Sequence, residues 1–274
     1  MKNVCVITGG GSGMGLAAAK SMPLDKIIVV TGRTLSKLEN AVKELEALGY
    51  EAYAKACDTS VREQVKELAE YAAGLGNITN VIHSAGLSPA MADPETIVRV
   101  NALGTVYVNE EFSKLMNPGS VILDVASNSA YMIPNFLAKK KVFALADRDE
   151  AKFLKKILSL PNKLKGYNAS GLAYGLSKKF VVWYAAKSAY ALGEKGIRVC
   201  SLSPGLVATD MGNLEAESGS MLLATAAEHR MGKPEELGYA IATVADERNG
   251  YLAGVDVLVD GGSVNGKKFI KKKK

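Results

Sequence analysis

The sequence predicts an α/β fold in one domain, built on a doubly wound parallel sheet. Short runs rich in valine and isoleucine alternate with segments of helical periodicity along most of the 274 residues. Those runs lack polar alternation, which is typical of strands buried on both faces. A glycine-rich turn follows the first run, and the repeated strand–helix alternation favours crossovers between parallel strands.

Seven runs are predicted as strands, in chain order. They cover residues 3–8, 26–31, 51–56, 80–85, 120–125, 197–203 and 256–260. Between them, apolar residues at helical spacing predict helices at 35–48, 61–75 and 94–116. In such a sheet, ligands bind outside the carboxyl ends of the strands, near the point where the strand order reverses.

The segment 135–169 interrupts this alternation and contains no strand pattern. It predicts two amphipathic helices, ended by Pro161 and Gly166. The second helix carries an apolar stripe that must pack against another part of the protein. That stripe consists of Phe153, Leu154, Ile157 and Leu158. We interpret 135–169 as a helical insertion within a single domain spanning 1–266.

Composition and charge exclude several classes of function. Hydrophobic residues make up 48% and charged residues 23%, the balance of an ordinary globular protein. No run of about 18 apolar residues is present, so no membrane span is expected. The net charge of +6 equals the six lysines of the segment 267–274, which is predicted to be a disordered basic tail. Residues 1–266 are therefore neutral overall, and no nucleic-acid partner is expected. A weak attraction of the tail to an anionic surface is the alternative.

The cysteines and histidines favour neither disulfides nor a metal site. Cys5, Cys57 and Cys200 are far apart in the sequence and show no CxxC or metal-ligand spacing. Only two histidines are present, so we expect no metal. Free cysteines in apolar runs favour a reducing compartment. Because the N-terminus also lacks the features of a secretory signal, we expect a cytoplasmic protein.

The turn after the first strand reads TGGGSGMG, residues 8–15. Its glycines Gly9, Gly13 and Gly15 allow a tight turn and a close approach of the backbone to a pyrophosphate. The helix that follows offers its N-terminal amides and its dipole to the same anion. The motif predicts a dinucleotide site on a Rossmann-type sheet, and a glycine-rich turn without a ligand is the alternative.

A second motif, YGLSK, places Tyr174 and Lys178 four residues apart. Residues at this spacing lie on one face of a helix. A lysine ammonium beside a phenol favours the phenolate and lowers the phenol pKa, so Tyr174 could exchange a proton with an alcohol or carbonyl near neutral pH. Of the 11 tyrosines, only Tyr174 has a lysine at this spacing.

Together, these motifs closely resemble those of the short-chain dehydrogenase/reductase family, over residues 1–134 and 170–263. The segments CDTS, HSAG, VNALG, DVASNSA and SPGLVATDM extend the resemblance. The family implies hydride transfer between a nicotinamide cofactor and a secondary alcohol or ketone, so a small-molecule substrate is expected. HSAG departs from the family's NNAG at His83 and Ser84. That departure is expected to reshape the end of the strand without removing a catalytic group.

The resemblance implies four catalytic residues. Tyr174 is the general acid/base. Lys178 lowers the pKa of Tyr174 and hydrogen-bonds the nicotinamide ribose. Ser127 hydrogen-bonds the substrate oxygen, and Asn101 holds a water that links Lys178 to solvent. A helix asparagine that ties neighbouring backbone is the alternative for Asn101, and Ser129 and Ser177 are alternatives to Ser127.

The resemblance also implies a set of cofactor-binding residues. They are Thr8, Gly9, Ser12, Gly13, Met14, Gly15, Gly32, Arg33, Asp58, Thr59, Ser84, Ala85, Gly86, Lys178, Pro204, Gly205 and Thr209. Gly32 stands where NAD-specific relatives place an acidic residue, and the Arg33 guanidinium suits a 2′-phosphate. Ser12 stands where some NADP-dependent relatives carry a second basic residue. We predict NADP(H) as the cofactor, with NAD(H) as the runner-up.

Two other functions are weighed against this one. A nucleotide-sensing protein without turnover typically lacks the tyrosine–lysine pair, and a methyltransferase on a similar sheet does not fit the glycine spacing. The insertion before Tyr174 resembles the 3α-hydroxysteroid dehydrogenase/carbonyl reductase branch, which implies a hydroxysteroid or another bulky apolar carbonyl. The family's substrate loop corresponds to 213–231, and apolar residues there or just before it could line the substrate site or pack in the core. They are Met211, Met221, Leu222 and Leu223.

The insertion has two predicted locations. It could cover the substrate cleft, or it could cover the two helices that form the usual subunit interface of the family, and we favour the second. A homodimer or homotetramer is expected from the resemblance. If the insertion covers that interface, the protein forms a dimer through another surface.

Overall fold

The computed structural model describes residues 1–214 and 220–269. Within them, seven parallel strands form one sheet in the order β3–β2–β1–β4–β5–β6–β7. The strands are β1 (Asn3–Thr8), β2 (Lys26–Gly32), β3 (Glu51–Ala56), β4 (Asn77–His83), β5 (Val121–Val125), β6 (Arg198–Pro204) and β7 (Asp256–Val259). The predicted doubly wound α/β sheet is confirmed, and its strand order reverses between β1 and β4.

Helices cover both faces of this sheet. They are α1 (Gly13–Lys20), α2 (Leu35–Ala47), α3 (Arg62–Leu75), α4 (Pro94–Val98), α5 (Gly104–Ser113), α6 (Lys140–Phe143), α7 (Glu150–Ile157), α8 (Gly166–Gly193), α9 (Asp210–Leu214), α10 (Ser220–Thr225), α11 (Pro234–Val244) and α12 (Ser263–Gly266). Val4 and Val6 of β1 belong to the core under α3, α5 and α8, whereas Cys5 and Ile7 belong to the core under α1, α2 and α11. Successive side chains of a strand point to opposite faces, so β1 is buried on both.

The fourth strand differs from the prediction at both ends. It was predicted at 80–85, but it begins at Asn77, whose amide donates to the Lys2 carbonyl at 2.9 Å. It ends at His83, where its partner β1 also ends at Thr8. After the strand has ended, the Ser84 hydroxyl donates to the Thr8 carbonyl at 2.6 Å.

The helix predicted at 94–116 is interrupted. A π-helical turn (Arg99–Leu103) separates α4 from α5, and Asn101 lies within it. Such turns insert one extra residue per turn and occur frequently at functional sites. The Asp93 carboxylate caps α4 by accepting from the amides of Glu95 and Thr96.

The insertion is less helical than predicted. Its first predicted helix is reduced to the single turn α6, and a second helix, α7, starts where Asp149 accepts a hydrogen bond from the Lys152 amide. A short 3-10 turn (Pro161–Lys163) follows. The next helix, α8, already begins at Gly166, so the predicted insertion boundary at 169 falls inside it.

The apolar stripe of the insertion packs on the outer side of α5 and α8. The rings of Phe143 and Phe153 lie 5.4 and 5.2 Å from the ring of Phe180 in α8. Asp147 forms an ion pair with Lys187 of α8. Tyr107 of α5 donates to the Glu150 carboxylate at 2.7 Å. The insertion therefore packs on α5 and α8, and its covering of a subunit interface stays a prediction.

Two further points concern the surface and the ends. Every helix in residues 1–214 and 220–269 is too short or too polar to cross a lipid bilayer.

The predicted basic tail falls mostly on residues 270–274, which lie outside the described residues.

Candidate active site

Two cavities lie side by side at the carboxyl ends of the strands. The first, of about 410 Å³, is bordered by the glycine turn and by the residues that follow β2, β3 and β4. The second, of about 320 Å³, is bordered by Ser127 and Tyr174. Met14, Thr209 and Met211 line both cavities, so they are contiguous. This is the edge at which a doubly wound sheet binds ligands.

The glycine turn leaves no room for a side chain at its tightest point. A Cβ on Gly15 would lie 2.4 Å from the Gly9 carbonyl oxygen and 2.7 Å from the Ser84 hydroxyl. Gly9 itself has a positive φ of 68°, which disfavours other residues. The glycine turn and the first residues of α1 line the first cavity, a position that fits the pyrophosphate of a dinucleotide.

The end of β4 is tied to the end of β1 by the two residues that depart from the family pattern. His83 Nδ1 lies 2.8 Å from the Thr8 hydroxyl, which also accepts from the Ala85 amide at 3.0 Å. Burial lowers the pKa of His83 to about 3, so its ring is neutral at pH 7.

Most of the predicted cofactor residues border the first cavity. They are Gly9, Ser12, Gly13, Met14, Gly15, Gly32, Arg33, Asp58, Thr59, Ser84, Ala85, Gly86 and Thr209. Pro204 and Gly205 border the second cavity instead. Thr8 and Lys178 border neither, because both are buried behind the walls. The Asp58 carboxylate accepts from the amide and hydroxyl of Ser60, which holds the turn after β3.

Tyr174 and Lys178 lie on one side of α8, as their spacing predicts. The Lys178 ammonium is 6.0 Å from the centre of the Tyr174 ring. It donates to the Val125 carbonyl at 2.9 Å, at the end of β5. Lys178 is only 6% exposed, so its charge acts in a region with little water.

A second ionisable group lies near Lys178. Asp124 of β5 is fully buried, and both of its carboxylate oxygens accept from the Asn109 amide, at 2.9 and 3.1 Å. Burial raises the pKa of Asp124, and burial lowers the pKa of Lys178. The negative charge on Asp124 favours the ammonium form of Lys178 and opposes its loss of a proton.

Ser127 and Tyr174 are brought to the same cavity by different elements. Ser127 follows β5 and caps a 3-10 turn (Asn128–Tyr131), where its hydroxyl accepts from the Ser129 amide at 3.2 Å. Tyr174 comes from α8 and packs against Leu87, Ile97 and Val100. Ser177 is fully buried, and its hydroxyl donates to the Tyr174 carbonyl, so it does not reach the cavity.

The Asn101 side chain binds the backbone of a neighbouring segment, as expected for a helix asparagine with a structural role. Its side chain accepts from the Leu87 amide at 2.8 Å and donates to the Leu87 carbonyl at 3.0 Å. It also donates to the Ser177 hydroxyl at 3.2 Å. A Cβ on Gly86 would lie 3.1 Å from the Asn101 side-chain oxygen and 3.3 Å from the Lys178 ammonium, so Asn101 and Lys178 lie against the same point of the backbone. A water relay through Asn101 stays a prediction.

The structure adds one residue that the motifs did not indicate. Ser88 is 2% exposed, borders the second cavity, and its hydroxyl has no hydrogen-bond partner among the described residues. Ser129 is half-buried and also borders this cavity, and its hydroxyl likewise has no hydrogen-bond partner among the described residues. No spacing rule marks Ser88, and only its position two residues after HSAG could have drawn attention to it.

The predicted substrate loop contributes in part. Met211 and Leu222 border the second cavity, whereas Leu223 borders a different pocket between α10 and α11. The side chain of Met221 lies outside the described part of the chain. Within the described part, no cluster of three or more His, Cys, Asp or Glu residues could hold a metal ion.

Comparisons with known proteins agree with this architecture. A profile of short chain dehydrogenases matches residues 3–138, and a profile described as enoyl-(acyl carrier protein) reductase matches residues 158–264. A short-chain dehydrogenase/reductase of Alternaria brassicicola is 27% identical over 268 residues, which are 96% of either chain. A 7alpha-hydroxysteroid dehydrogenase of Escherichia coli is 24% identical over 271 residues, which are 94% of this chain and 93% of that relative.

Solved structures show the same fold. A short chain dehydrogenase of Burkholderia cenocepacia, in complex with NADP, has a TM-score of 0.75 at 20% identity and covers 96% of this chain and 97% of that chain. With the profiles and relatives, this places the chain in the short-chain dehydrogenase/reductase family. The protein is accordingly an NAD(P)-dependent oxidoreductase.

Proposed function

We propose that the protein interconverts a bulky apolar ketone and its secondary alcohol, with NADP(H) as the cofactor. The observation that carries this proposal is the joint position of Ser127 and Tyr174 on one cavity, directly beside the cleft lined by the glycine turn. Bound in that cleft, the nicotinamide supplies or accepts the hydride. The chain's own residues must then hold the substrate oxygen and move its proton.

Tyr174 is the proposed proton donor in the direction of reduction. Lys178 lies on the same side of α8, and its buried positive charge favours the phenolate that remains after the proton has left. Ser127 would donate a hydrogen bond to the substrate oxygen and stabilise negative charge as it develops there. In the direction of oxidation, the Tyr174 phenolate would take the alcohol proton.

The preference for NADP(H) rests on the chain after β2. Gly32 and Arg33 both border the cofactor cleft, and no acidic side chain stands at the end of β2 to bind ribose hydroxyls. The Lys37 side chain leaves α2 close to the glycine turn, because a Cβ on Gly11 would lie 3.5 Å from the Lys37 Cβ. A lysine there could supply the second positive charge that Ser12 does not. The Burkholderia relative was also solved with NADP.

The second cavity favours a bulky apolar substrate. Its apolar lining includes Met132, Leu206, Met211 and Leu222. The hydroxyl oxygens of Ser88 and Ser129 are buried within its wall and do not add polar surface to it. A hydroxysteroid is a bulky apolar substrate of this kind, and one relative in the family is a 7alpha-hydroxysteroid dehydrogenase.

The proposal is tested by turnover with a panel of carbonyl compounds. Ketosteroids, small ketones, sugars and acyl thioesters are each offered with NADPH and with NADH, and consumption of the reduced cofactor is followed by absorbance. We expect turnover with NADPH and with bulky apolar ketones. Binding of NADPH without turnover of any carbonyl would contradict the proposal and favour a nucleotide-sensing protein.

A further inference from the structure

The insertion forms a third cavity, away from the two cavities of the active site. It has a volume of about 560 Å³, within the range of about 300–1,000 Å³ that is common for ligand pockets. Its floor is apolar and consists of Leu137, Val142, Phe143, Ile157, Leu160 and Leu176. Its rim carries four lysines: Lys139, Lys140, Lys141 and Lys156.

This rim carries positive charge that its surroundings do not neutralise. Residues 135–169 hold nine basic and three acidic residues, a net charge of +6. Because residues 1–266 are neutral overall, the basic charge of the insertion is balanced by an excess of acidic residues in the rest of that range. The three acidic residues are engaged elsewhere: Asp147 with Lys187, Asp149 at the start of α7, and Glu150 with Tyr107. None of the four rim lysines forms an ion pair within the described residues.

We propose that this cavity binds one long-chain carboxylate, with its hydrocarbon chain on the apolar floor and its carboxylate among the rim lysines. A small inorganic anion would leave the apolar floor without a partner. A neutral lipid would leave the four ammonium groups without a counter-charge. A lysine can lay its methylene stem along apolar surface and keep its charged end at the edge, which suits this division of the ligand.

The shape of the site favours a single bound molecule over a membrane surface. Phe143 and Ile157 are 2% and 4% exposed and form the bottom of a hollow, whereas Leu160, at 37%, lies at its outer edge. A protein that lies on a bilayer presents its apolar side chains outwards, where they can enter the lipid. A concave apolar floor is suited to a hydrocarbon chain that enters the cavity.

The cavity also touches the catalytic helix. Leu176 of the floor belongs to α8 and lies between Tyr174 and Lys178 in the sequence. Its side chain points to the insertion, whereas Tyr174 faces the substrate cavity. A ligand in the third cavity would therefore rest on the back of the helix that holds the tyrosine–lysine pair.

Calorimetric titration of dodecanoate into the full-length protein, saturated with NADPH, tests the proposal. We expect one site, and we expect Lys156→Glu and Leu160→Asp each to weaken binding by about tenfold or more. Both residues are exposed, so these changes leave the core intact, and thermal unfolding of each variant checks this. Lys152→Glu is the matched control, since Lys152 lies on α7 outside the cavity, and it should bind within about twofold of the wild type.

Two further ligands test separately the contributions of the carboxylate charge and of the hydrocarbon chain to binding. Dodecyltrimethylammonium has the same chain with the opposite charge, and acetate has the charge without the chain, so neither should bind at this site. The proposal is wrong if Lys156→Glu and Leu160→Asp bind dodecanoate as the wild type does, since the ligand then lies elsewhere. It is also wrong if dodecyltrimethylammonium binds equally well. Sedimentation with phosphatidylglycerol vesicles, without any binding of free dodecanoate, would identify a membrane contact instead.

Discussion

The buried imidazole of His83 links the stability of the fold to pH. His83 is 2% exposed and lies against the Thr8 hydroxyl, and burial lowers its pKa from an ordinary value near 6.5 to about 3. The nearby positive charge of Lys178 lowers it further. In the unfolded chain the same ring binds a proton below pH 6.5. The unfolded state therefore binds more protons between pH 6.5 and pH 3, and stability falls as the pH is lowered through this window.

The size of the effect follows from the two pKa values. Each pKa unit corresponds to about 1.36 kcal/mol, so at pH 5 the unprotonated ring costs the folded state about 2 kcal/mol. His83→Asn removes the titrating group and keeps a polar side chain beside the Thr8 hydroxyl. We expect the wild type to lose about 2 kcal/mol more stability than His83→Asn between pH 7 and pH 5.

Equilibrium urea unfolding of both proteins at pH 7 and pH 5 measures this difference. The carboxylates, Asp124 and Lys178 titrate in both proteins, so their contributions largely cancel between them. If the free energy of unfolding falls equally in the wild type and in His83→Asn, the imidazole is not held neutral in the folded state. The described arrangement around Thr8 would then be incorrect.

Three other predictions concern the cofactor and the insertion. Arg33→Ala should weaken NADPH binding by roughly 10- to 100-fold and leave NADH binding nearly unchanged in a fluorescence titration, and equal wild-type affinity for both cofactors would refute the 2′-phosphate assignment. Gly15→Ala should abolish binding of both cofactors, because its Cβ would lie 2.4 Å from the Gly9 carbonyl oxygen; retained binding would exclude this role of the turn. Light scattering should show a wild-type dimer, and replacing 139–165 by a short Gly/Ser linker should change the assembly by uncovering α5 and α8. A wild-type tetramer, or an assembly that is unchanged by the linker, would argue against the interface role.

The sheet could be predicted mainly because its central strands, such as β1, β2, β5 and β6, are buried on both faces. Such strands are continuous apolar runs, and six of the seven predicted strands lie within one or two residues of those observed. The exception is β4, whose first three residues, Asn77 to Thr79, do not form a purely apolar run. Pairing with β1, rather than residue type, decides where this strand begins and ends.

The insertion was harder to predict because its helices are fixed by tertiary contacts. Periodicity identified the stripe that includes Phe153, and the structure shows that this ring packs on Phe180 of α8. It did not reveal that α6 would be a single turn. It also gave no sign of the π-helical turn around Asn101, because hydrogen-bond spacing within a helix leaves no trace in the pattern of apolar residues.

At the active site, the motifs identified residue types but not all of their partners. Ser127 and Tyr174 border one cavity because the sheet is parallel. The carboxyl ends of β5 and β6 and the start of α8 therefore lie at the same edge of the sheet. The hydrogen bonds of Asn101 with Leu87 join residues 14 positions apart, and no local pattern predicts them. Whether a buried hydroxyl such as that of Ser88 has a partner depends on tertiary contacts alone.

The central claim is that Tyr174 transfers the proton while the neighbouring nicotinamide exchanges the hydride. The most direct test is the kcat of Tyr174→Phe with the best carbonyl substrate, measured together with the Kd for NADPH. The substitution keeps the ring and removes the proton, so kcat should fall by about 100-fold or more while the Kd changes little. If the variant keeps more than about a tenth of the wild-type kcat, less than about 1.4 kcal/mol of barrier is involved, and Tyr174 is not the proton donor.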